Sequence, residues 1–406
     1  MFRIIKIKKL AGANLVLYAI LVVLTPFIML QNYLQGFVRY LSGVQVTVIG
    51  ISIPVVLLVF MVLLLFLLII FKKYVTLFNL AGLAVLLFFL FAGQKISDFY
   101  IDFNYYDLQN NWHYFSYLFF SFISWSYFKE KQVPLHRIHL YTWLFALGIS
   151  LFDELFQNQM SQRVFDLSDV AKDLWGTTTG MVLITFWFEK NKDSSFKIRQ
   201  ESVKAYFQNK YAILVVLLIT TFVFFNVSSL LTSKVYGFYV ILITCFLTVI
   251  IFSLVHLFKG FGKKIITLFF IVLIVGQAFL WFTNRNNNFI FHNNFLTVYR
   301  GWFMPFFDVM VFPDKTFRFV DKKVEFNNTD KKVIMKSDPD VILIGAGLYG
   351  EGGNGFPLKN ETHFILNPTT KKAVQVLIFD SKSACLKYNE LSDMGIKTVM
   401  VLHKSI

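Results

Sequence analysis

Two scarcities limit what this chain of 406 residues can be. Cysteine occurs only twice, at Cys245 inside an apolar segment and at Cys385 in the polar C-terminal part, which excludes a framework of disulfide bonds. Charged residues make up only 16% of the chain, and the basic ones stand between apolar blocks. A nucleic-acid partner would need a basic stripe on a soluble fold, so we predict no nucleic acid among the partners.

Long apolar blocks dominate what is present. Apolar residues account for 56% of the chain, Phe alone occurs 50 times, and the mean hydropathy is +0.60, which is not typical of a soluble globular protein. The blocks match the roughly 20 residues that a helix needs to cross a bilayer. We therefore predict a polytopic α-helical membrane bundle of about nine spans, followed by a small soluble α/β domain. The predicted spans are 11–30, 48–71, 74–93, 112–128, 138–156, 170–188, 211–231, 236–257 and 264–282.

Lys and Arg concentrate in alternate loops. The N-terminus is basic and then turns apolar without a small-residue cleavage site, which indicates an uncleaved first helix. Cytoplasmic loops carry the excess of positive charge, so the N-terminus and the basic loops are predicted to be cytoplasmic. We predict a multi-pass protein of the cell (inner) membrane. With nine spans and a cytoplasmic N-terminus, its C-terminal domain lies on the outer side. The basic loops are Lys72–Lys73, 129–137, 189–210 and 259–264.

The composition predicts five parts. Short apolar runs alternate with polar turns near the C-terminus, at 308–312, 317–320, 341–344, 374–379 and 398–402, and 380–395 has the pattern of a helix. A tenth span is the alternative to a linker at 283–306. The predicted parts are N-terminal transmembrane helices (1–93), a transmembrane core (94–190), additional transmembrane helices (191–282), an interfacial linker (283–306) and the soluble α/β domain (307–406).

Polar residues gather where the fifth predicted span ends and the sixth begins. Glu154 and Gln157 share a helix face because they are three residues apart. Charged groups at membrane depth are costly and mark functional sites. One face of the sixth span carries Asp169, Asp173, Gly176 and Gly180, which follow each other at intervals of four, three and four. Gly176 and Gly180 form a small-residue pair that lets another helix approach closely. The topology places these polar groups at one outer face: His113, Glu154, Gln157, Arg163, Asp169 and Asp173.

This cluster has two interpretations. In the functional one, Glu154, Asp169 and His113 do acid–base work, while the other polar groups, Arg163, Gln157 and Asp173, bind a substrate such as a lipid head group. In the structural one, the cluster is an ion-pair network that fastens the loop to the bundle. The residues lack the tight His and Asp spacing of metal sites, so we predict no metal.

The cluster resembles the VanZ family of small bacterial membrane proteins over about 75–190. That family's motif runs Asp-Glu, Gln, Arg, Asp and then two Gly four apart. An earlier family motif, Asp-Lys-x-x-His-Phe, is matched only by His113, and Asp173 stands where the family usually has Asn. The resemblance implies a location in the bacterial cell envelope and no defined reaction. The matching residues are Asp153, Glu154, Gln157, Arg163, Asp169, Gly176 and Gly180.

A glycine-rich segment follows the predicted strand at 341–344. Gly345, Gly347 and Gly350 form a GxGxxG pattern, which is also found in dinucleotide-binding loops. Such a site needs a helix that begins at the loop and meets the pyrophosphate, but the glycines and the proline at 351–357 exclude a helix there. We therefore predict a flexible loop over a cleft and no cofactor.

Four segments of the C-terminal domain, 308–314, 339–347, 383–391 and 398–403, carry a resemblance to a known family. They are similar to a small α/β family that includes a mitochondrial complex I assembly factor and an adipogenesis-associated protein. The resemblance implies a compact fold with a cleft beside the glycine loop, lined by Gly345, Gly347, Tyr388 and Asn389. The alternative is that Tyr388 and Asn389 only cap and pack the helix.

The sequence is compatible with two functions and disfavours a third. The first is an envelope enzyme or lipid handler that binds membrane lipids and acts on an amphiphilic phospho- or glycolipid or an envelope glycan precursor at the outer face. The second is a non-enzymatic membrane scaffold whose C-terminal domain binds a protein partner or assists the assembly of a complex. A transporter is disfavoured because the sequence shows no internal repeat and no charge at the middle of a span.

Overall fold

A computed structural model gives the fold of this chain in two compact units. The first comprises Met1–Ser229 and Lys234–His256, and the second comprises Leu230–Ser233 and Leu257–Ile406. The basic N-terminus, Lys72–Lys73 and Arg163 lie outside the described residues. The described residues are 11–29, 32–48, 51–70, 76–97, 108–159, 165–189, 200–258, 260–293, 295–305, 307–356 and 363–405.

The first unit is helical. A π-helical turn, Ile184–Phe188, extends the seventh helix, and the 3₁₀ turn Lys234–Tyr236 precedes the tenth. The predicted spans of this unit each contain an α-helix. The helices are α1 (Ala11–Met29), α2 (Asn32–Gly43), α3 (Val55–Ile70), α4 (Leu77–Ser97), α5 (Leu108–Glu130), α6 (Leu135–Gln157), α7 (Leu167–Leu183), α8 (Val203–Gln208), α9 (Lys210–Leu230) and α10 (Gly237–Leu257).

The start of the second predicted span is not helical. The chain there forms an antiparallel hairpin of β1 (Gln45–Val48) and β2 (Ile51–Pro54), in which Val46 pairs with Ile53. Val, Ile and Thr favour strands, and Pro54 cannot lie inside a helix, so α3 begins only after it.

Three helical segments among the described residues are long and apolar enough to cross a membrane: Lys210–Leu230, Lys234–Leu257 and Gly262–Asn284. The last belongs to α11 (Gly260–Asn284), in the second unit. These helices are typical of a membrane protein, but the structure does not support the nine predicted spans beyond these three. The α7 helix, for example, has only 17 residues and carries Asp169, Lys172 and Asp173.

The α7 helix is the centre of the first unit. Every residue from Val170 to Val182 is buried, because α4, α5 and α6 all pack against it. A helix that is covered on all sides places its polar side chains inside the protein. Its buried polar groups therefore need partners, which the backbone of α7 supplies for Thr177, Thr178 and Thr179 and neighbouring helices supply for Asp173.

A six-stranded sheet forms the core of the second unit. Its strand order is β7-β6-β11-β8-β10-β9, with β8 parallel to β10 and β11, and the remaining pairs antiparallel. The five predicted strands and the predicted helix are confirmed, whereas β9 and α12 were not predicted. The elements are β6 (Asp308–Val311), β7 (Phe317–Val320), α12 (Asn328–Met335), β8 (Val341–Ala346), β9 (His363–Leu366), β10 (Ala373–Phe379), α13 (Ser381–Asp393) and β11 (Thr398–His403).

The segment predicted as an interfacial linker contains a second sheet. Its strands are β3 (Phe289–His292), β4 (Leu296–Tyr299) and β5 (Trp302–Pro305), paired in chain order and antiparallel. Phe289, Tyr299 and Met304 enter the same hydrophobic core as Tyr388 of α13. The compact part of the second unit therefore begins before residue 307, because this small sheet supplies part of its core.

Candidate functional site

Asp173 is the hub of the polar cluster in the first unit. Its Oδ1 lies 2.9 Å from Nδ1 of His113, and its Oδ2 accepts a hydrogen bond of 2.6 Å from the hydroxyl of Ser150. The three residues come from α7, α5 and α6 respectively. The Asp173 side chain is only 2% exposed, so this carboxylate connects three helices from inside the bundle.

Two further carboxyl groups lie at the C-terminal end of α6. The Nε2 of Gln157 donates to Asp153 Oδ2 at 3.0 Å and lies 3.4 Å from Glu154 Oε1. Glu154 Oε2 accepts from the backbone N–H of Asp166 at 3.0 Å, and Asp166 caps α7 by accepting from the N–H of Ser168 at 2.7 Å. Glu154 therefore connects the end of one helix to the start of the next.

His113 and Asp169 lie at the accessible edge of the described cluster. Their side chains are 21% and 20% exposed, and His113 Nε2 lies 4.0 Å from Asp169 Oδ2. The other oxygen of Asp169 accepts from Nζ of Lys172 at 2.6 Å. Because Asp173, Glu154 and Gln157 are buried behind this edge, a ligand that enters the cluster meets His113 and Asp169 first.

Gly176 and Gly180 place α5 directly against α7. A Cβ on Gly176 would lie 2.4 Å from the carbonyl oxygen of Tyr114, and one on Gly180 would lie 1.9 Å from the Ser121 hydroxyl. The close approach that the small-residue pair predicts is therefore made by α5. It also brings His113 of α5 within reach of Asp173.

The described cluster is rich in acid. Five carboxyl groups, those of Asp153, Glu154, Asp166, Asp169 and Asp173, stand with two basic groups, His113 and Lys172. Sequence analysis missed Lys172, although its position three residues after Asp169 on one helix face signals the pair. Burial, together with the neighbouring Asp169, raises the pKa of Asp166 above its usual value. Arg163, predicted as a substrate-binding residue, lies outside the described residues.

The arrangement favours proton transfer over nucleophilic attack by serine. In a nucleophilic triad the histidine contacts both the serine and the carboxylate. Here Asp173 stands between Ser150 and His113, so the imidazole is oriented by the carboxylate, and Ser150 has a carboxylate as its acceptor. The free edge of the imidazole is Nε2, beside Asp169. Within the described ranges, no group of three or more His, Cys, Asp or Glu side chains could hold a metal ion.

An apolar groove of about 640 Å³ runs along α6 beside α1. The rings of Phe152 and Phe156 lie in it with parallel planes, at an interplanar angle of 7°. These two residues precede Asp153 and Gln157 directly in the chain, so neighbouring faces of one helix carry the groove and the cluster. The other lining residues include Ile20, Val23, Leu24, Phe145 and Ile149.

The glycine loop of the second unit closes tightly on its own domain. A Cβ on Gly345 would lie 2.8 Å from Leu402, and one on Gly347, whose φ is +82°, would lie 2.3 Å from the Ser405 hydroxyl. The N–H of Gly347 donates to Ser381 at 2.9 Å. Residues 351–356 form turns and bends, so no dinucleotide-type helix begins there.

Tyr388 and Asn389 lie at the small sheet instead of at the glycine loop. The side-chain amide of Asn389 pairs with both backbone groups of Phe289, at 2.9 and 2.8 Å. The Tyr388 hydroxyl lies 3.3 Å from that of Tyr299, and burial raises the pKa of Tyr388. The structure therefore separates these two residues from Gly345 and Gly347, with which they were predicted to line a cleft.

A buried ionic group that sequence analysis missed lies next to the glycine loop. Asp308 contacts Lys322 Nζ at 3.0 Å and His403 Nδ1 at 2.7 Å. His403 Nε2 is buried without a hydrogen-bond partner in the described structure, and the imidazole lies 3.2 Å from the Cβ position of Gly352. Burial lowers the pKa of Lys404 to about 7. The pattern of 398–403 predicts only an apolar strand, and nothing in it indicates a buried ionic group.

Comparisons of the chain with protein-family models, with curated proteins and with solved structures found no match. The resemblance to the VanZ family is carried by residues of α5, α6 and α7 and the loop between α6 and α7. The resemblance of the C-terminal domain to a small α/β family is carried by residues of β6, β8, α13 and β11. Both resemblances stay predictions.

Proposed function

We propose that this chain is a VanZ-like protein of the bacterial inner membrane whose polar cluster binds the hydroxyl-rich head group of an amphiphile. A glycolipid or a membrane-bound glycan precursor has this chemistry. The observation that carries the proposal is the partly exposed pair of His113 and Asp169 in front of a buried carboxylate, Asp173.

The charge of the cluster supports a sugar over a phosphate. Among the described residues, five carboxyl groups stand with only two basic groups, so these residues offer a phosphate few cationic partners. Carboxylates accept strong hydrogen bonds from hydroxyl groups. His113, oriented by Asp173 through Nδ1, has its Nε2 at the accessible edge, where it can exchange a proton with a bound hydroxyl.

The groove along α6 supports an amphiphilic ligand. It is lined by apolar side chains, and Phe152 and Phe156 place it next to Asp153 and Gln157. An acyl or polyprenyl chain in this groove would bury apolar surface while its head group lies at the cluster.

Lipid binding by the purified full-length chain in detergent micelles tests this proposal. Fluorescent monohexosyl diacylglycerol and phosphatidylglycerol with the same chains are compared by anisotropy. We expect the glycolipid to bind more tightly, and Asp169→Asn to weaken its binding roughly tenfold, equivalent to about 1.4 kcal/mol. Glu130→Gln, at the other end of α5, is the matched control and should bind like the wild type. Equal glycolipid affinity of the Asp169→Asn variant would contradict the proposal.

A second function, a scaffold whose C-terminal domain binds a protein partner, is favoured by the glycine loop. Leu348 and Tyr349 are 57% and 72% exposed on this loop, whereas Tyr388 and Asn389 are engaged inside the domain. A photocrosslinker at Tyr349 in intact cells should give a discrete adduct, and one at Met394, which is also exposed, should give none. The same adduct pattern at both positions would reject the scaffold function.

The proposed topology has nine spans, a cytoplasmic N-terminus and an external C-terminal domain. The three membrane-length helices between residues 210 and 284 support part of it, because an odd number of crossings puts the loop at 189–210 and the C-terminus on opposite sides. Reporter fusions after Lys190 and after Ile406 test the orientation. Activity of a cytoplasmic reporter at Ile406 would reject an external C-terminal domain.

A further inference from the structure

The small sheet β3–β5 has an apolar outer face. Phe291 pairs with Val298, and Val298 pairs with Phe303, so the three side chains lie in one row on the same face. Val298 is buried between Phe291 and Phe303, which are 48% and 47% exposed, and Phe295 before β4 is 71% exposed. An antiparallel sheet with one face in water normally has polar residues on that face. The described residues of this face are apolar.

The opposite face of the sheet packs into the C-terminal domain, except at Trp302, which pairs with Tyr299 and is 43% exposed. Phe289 and Tyr299 pair across the first two strands and pack with Tyr388 in the hydrophobic core. Asn389 holds the backbone of Phe289 through two hydrogen bonds. The sheet is thus fixed to the domain, and its row of exposed aromatic side chains must face whatever surrounds the protein.

The turn between β4 and β5 is attached to the membrane-length helix α11. Gln277 donates to the carbonyl of Gly301 at 2.7 Å, and a Cβ on Gly301 would lie 2.5 Å from the Trp281 Cα. Arg300 donates from Nε to the carbonyl of Arg285 at 2.7 Å. These contacts hold the sheet against the last two turns of the helix.

The C-terminal end of α11 has the residues of a membrane–water boundary. The guanidinium of Arg285 lies 5.5 Å from the ring centroid of Trp281 and 5.2 Å from that of Phe282. Aromatic residues and the cations beside them are enriched where a helix leaves the bilayer. Only 6% of the apolar stretch of this helix is buried in the protein, so its surface is available to lipid.

We propose that the outer face of β3–β5 lies in the head-group region of the membrane and seats the C-terminal domain on the bilayer surface. The occupant is lipid because the face is continuous with a helix that is long and apolar enough to cross the membrane. The aromatic rings enter the interface, and Arg285 and Arg300 lie at the level of the lipid phosphates. This inference does not depend on the function proposed for the polar cluster.

Depth-dependent fluorescence quenching of the full-length chain in phosphatidylcholine nanodiscs tests whether the outer face of β3–β5 lies in the head-group region. The environment-sensitive dye NBD is attached at Phe295→Cys in a background with Cys245→Ser and Cys385→Ala. Leu386→Cys on α13 is the matched control, because Leu386 is also apolar and is 65% exposed. We expect lipids with a spin label near the head group to quench the dye at position 295 severalfold more than the dye at 386. Equal quenching at the two positions would overturn the proposal.

A second variant separates the lipid from other occupants. Phe291→Ser with Phe303→Ser removes apolar side chains from the outer face, so quenching at position 295 by lipid should fall and quenching by aqueous iodide should rise. Unchanged lipid quenching in this variant would show that the aromatic row does not hold the sheet in the head-group region. Nanodiscs with one and with two copies of the chain are also compared. Protection from iodide that occurs only with two copies would identify a second copy as the occupant and overturn the proposal.

Discussion

Asp173 and His113 lie 2.9 Å apart, Oδ1 to Nδ1, although 60 residues separate them in the chain. The contact exists because Gly176 and Gly180 bring the backbones of α5 and α7 together. A buried carboxylate is costly unless it is hydrogen-bonded, and His113 and Ser150 both meet this requirement. The polar cluster and the helix packing therefore depend on each other.

Replacing Asp173 should destabilise the first unit. Asp173→Asn places an amide where His113 and Ser150 meet two carboxylate oxygens, and we expect a loss of about 1–3 kcal/mol. Asp169→Asn, at the more exposed edge, keeps an oxygen that can accept from Lys172 and should cost less than Asp173→Asn. Thermal unfolding of the full-length variants in detergent measures both changes. Equal losses would show that Asp173 is not the structural hub.

Adding a methyl group to α7 should disrupt its contact with α5. A Cβ at position 176 would meet the backbone of Tyr114, which cannot move without the whole helix, so Gly176→Ala should cost about 1–3 kcal/mol. Gly148→Ala in α6 is the control, because no atom lies within 4 Å of its Cβ position. That change should be neutral or stabilise the helix by up to about 1 kcal/mol. A smaller effect at Gly176 than at Gly148 in thermal unfolding would contradict this interpretation.

The turn at Gly301 should tolerate no side chain. Gly301 and Gly395 both have positive φ, +80° and +74°, so alanine strains the backbone at each position. Only Gly301 is also crowded, by the backbone of Leu280 and Trp281. Gly301→Ala should therefore cost about 1–3 kcal/mol more than Gly395→Ala. Limited proteolysis of the C-terminal domain in the full-length protein compares the two variants, and equal cleavage rates would count against the close contact.

Lys404 should make the stability of the C-terminal domain depend on pH. Burial, reinforced by the nearby Lys322, lowers its pKa to about 7 from the usual 10.5, while Asp308 opposes the shift. Between these values the unfolded chain binds a proton that the folded protein does not bind. The free energy of unfolding should therefore rise as the pH increases from 7 to 10.5. Below pH 7, where Lys404 is protonated in both states, the cost of its buried charge to the folded state should be present in full.

Cys385 provides the measurement for this effect. Its thiol is buried in the domain core, so reaction with a thiol reagent reports opening of the domain. In a Cys245→Ser background, protection of Cys385 is compared at each pH with and without Lys404→Met. The wild type should gain protection relative to the Met variant as the pH rises. A constant ratio across this range would contradict the lowered pKa of Lys404.

Local patterns in the sequence predict eight of the helices in the first unit and five strands of the C-terminal sheet, but not α2, α8, α12, β1–β5 or β9. Long apolar blocks predicted these helices of the first unit, and short apolar runs between polar turns predicted β6, β7, β8, β10 and β11. The sequence also placed Asp169, Asp173, Gly176 and Gly180 on one face of α7. These features follow from local periodicity, because a helix repeats every 3.6 residues and a strand every 2. The number of membrane crossings was not fixed in this way, since hydropathy alone does not separate a lipid-facing helix from a buried one.

Which side chains meet depends on the tertiary structure. It placed α7 at the centre of its unit, gave Lys172 a role beside Asp169 that the sequence analysis missed, and directed Asn389 to Phe289, 100 residues away in the chain. It also turned the predicted linker into a sheet whose inner face completes the C-terminal core. These contacts join residues distant in sequence, and they form only when packing offsets the entropy of ordering the chain between them.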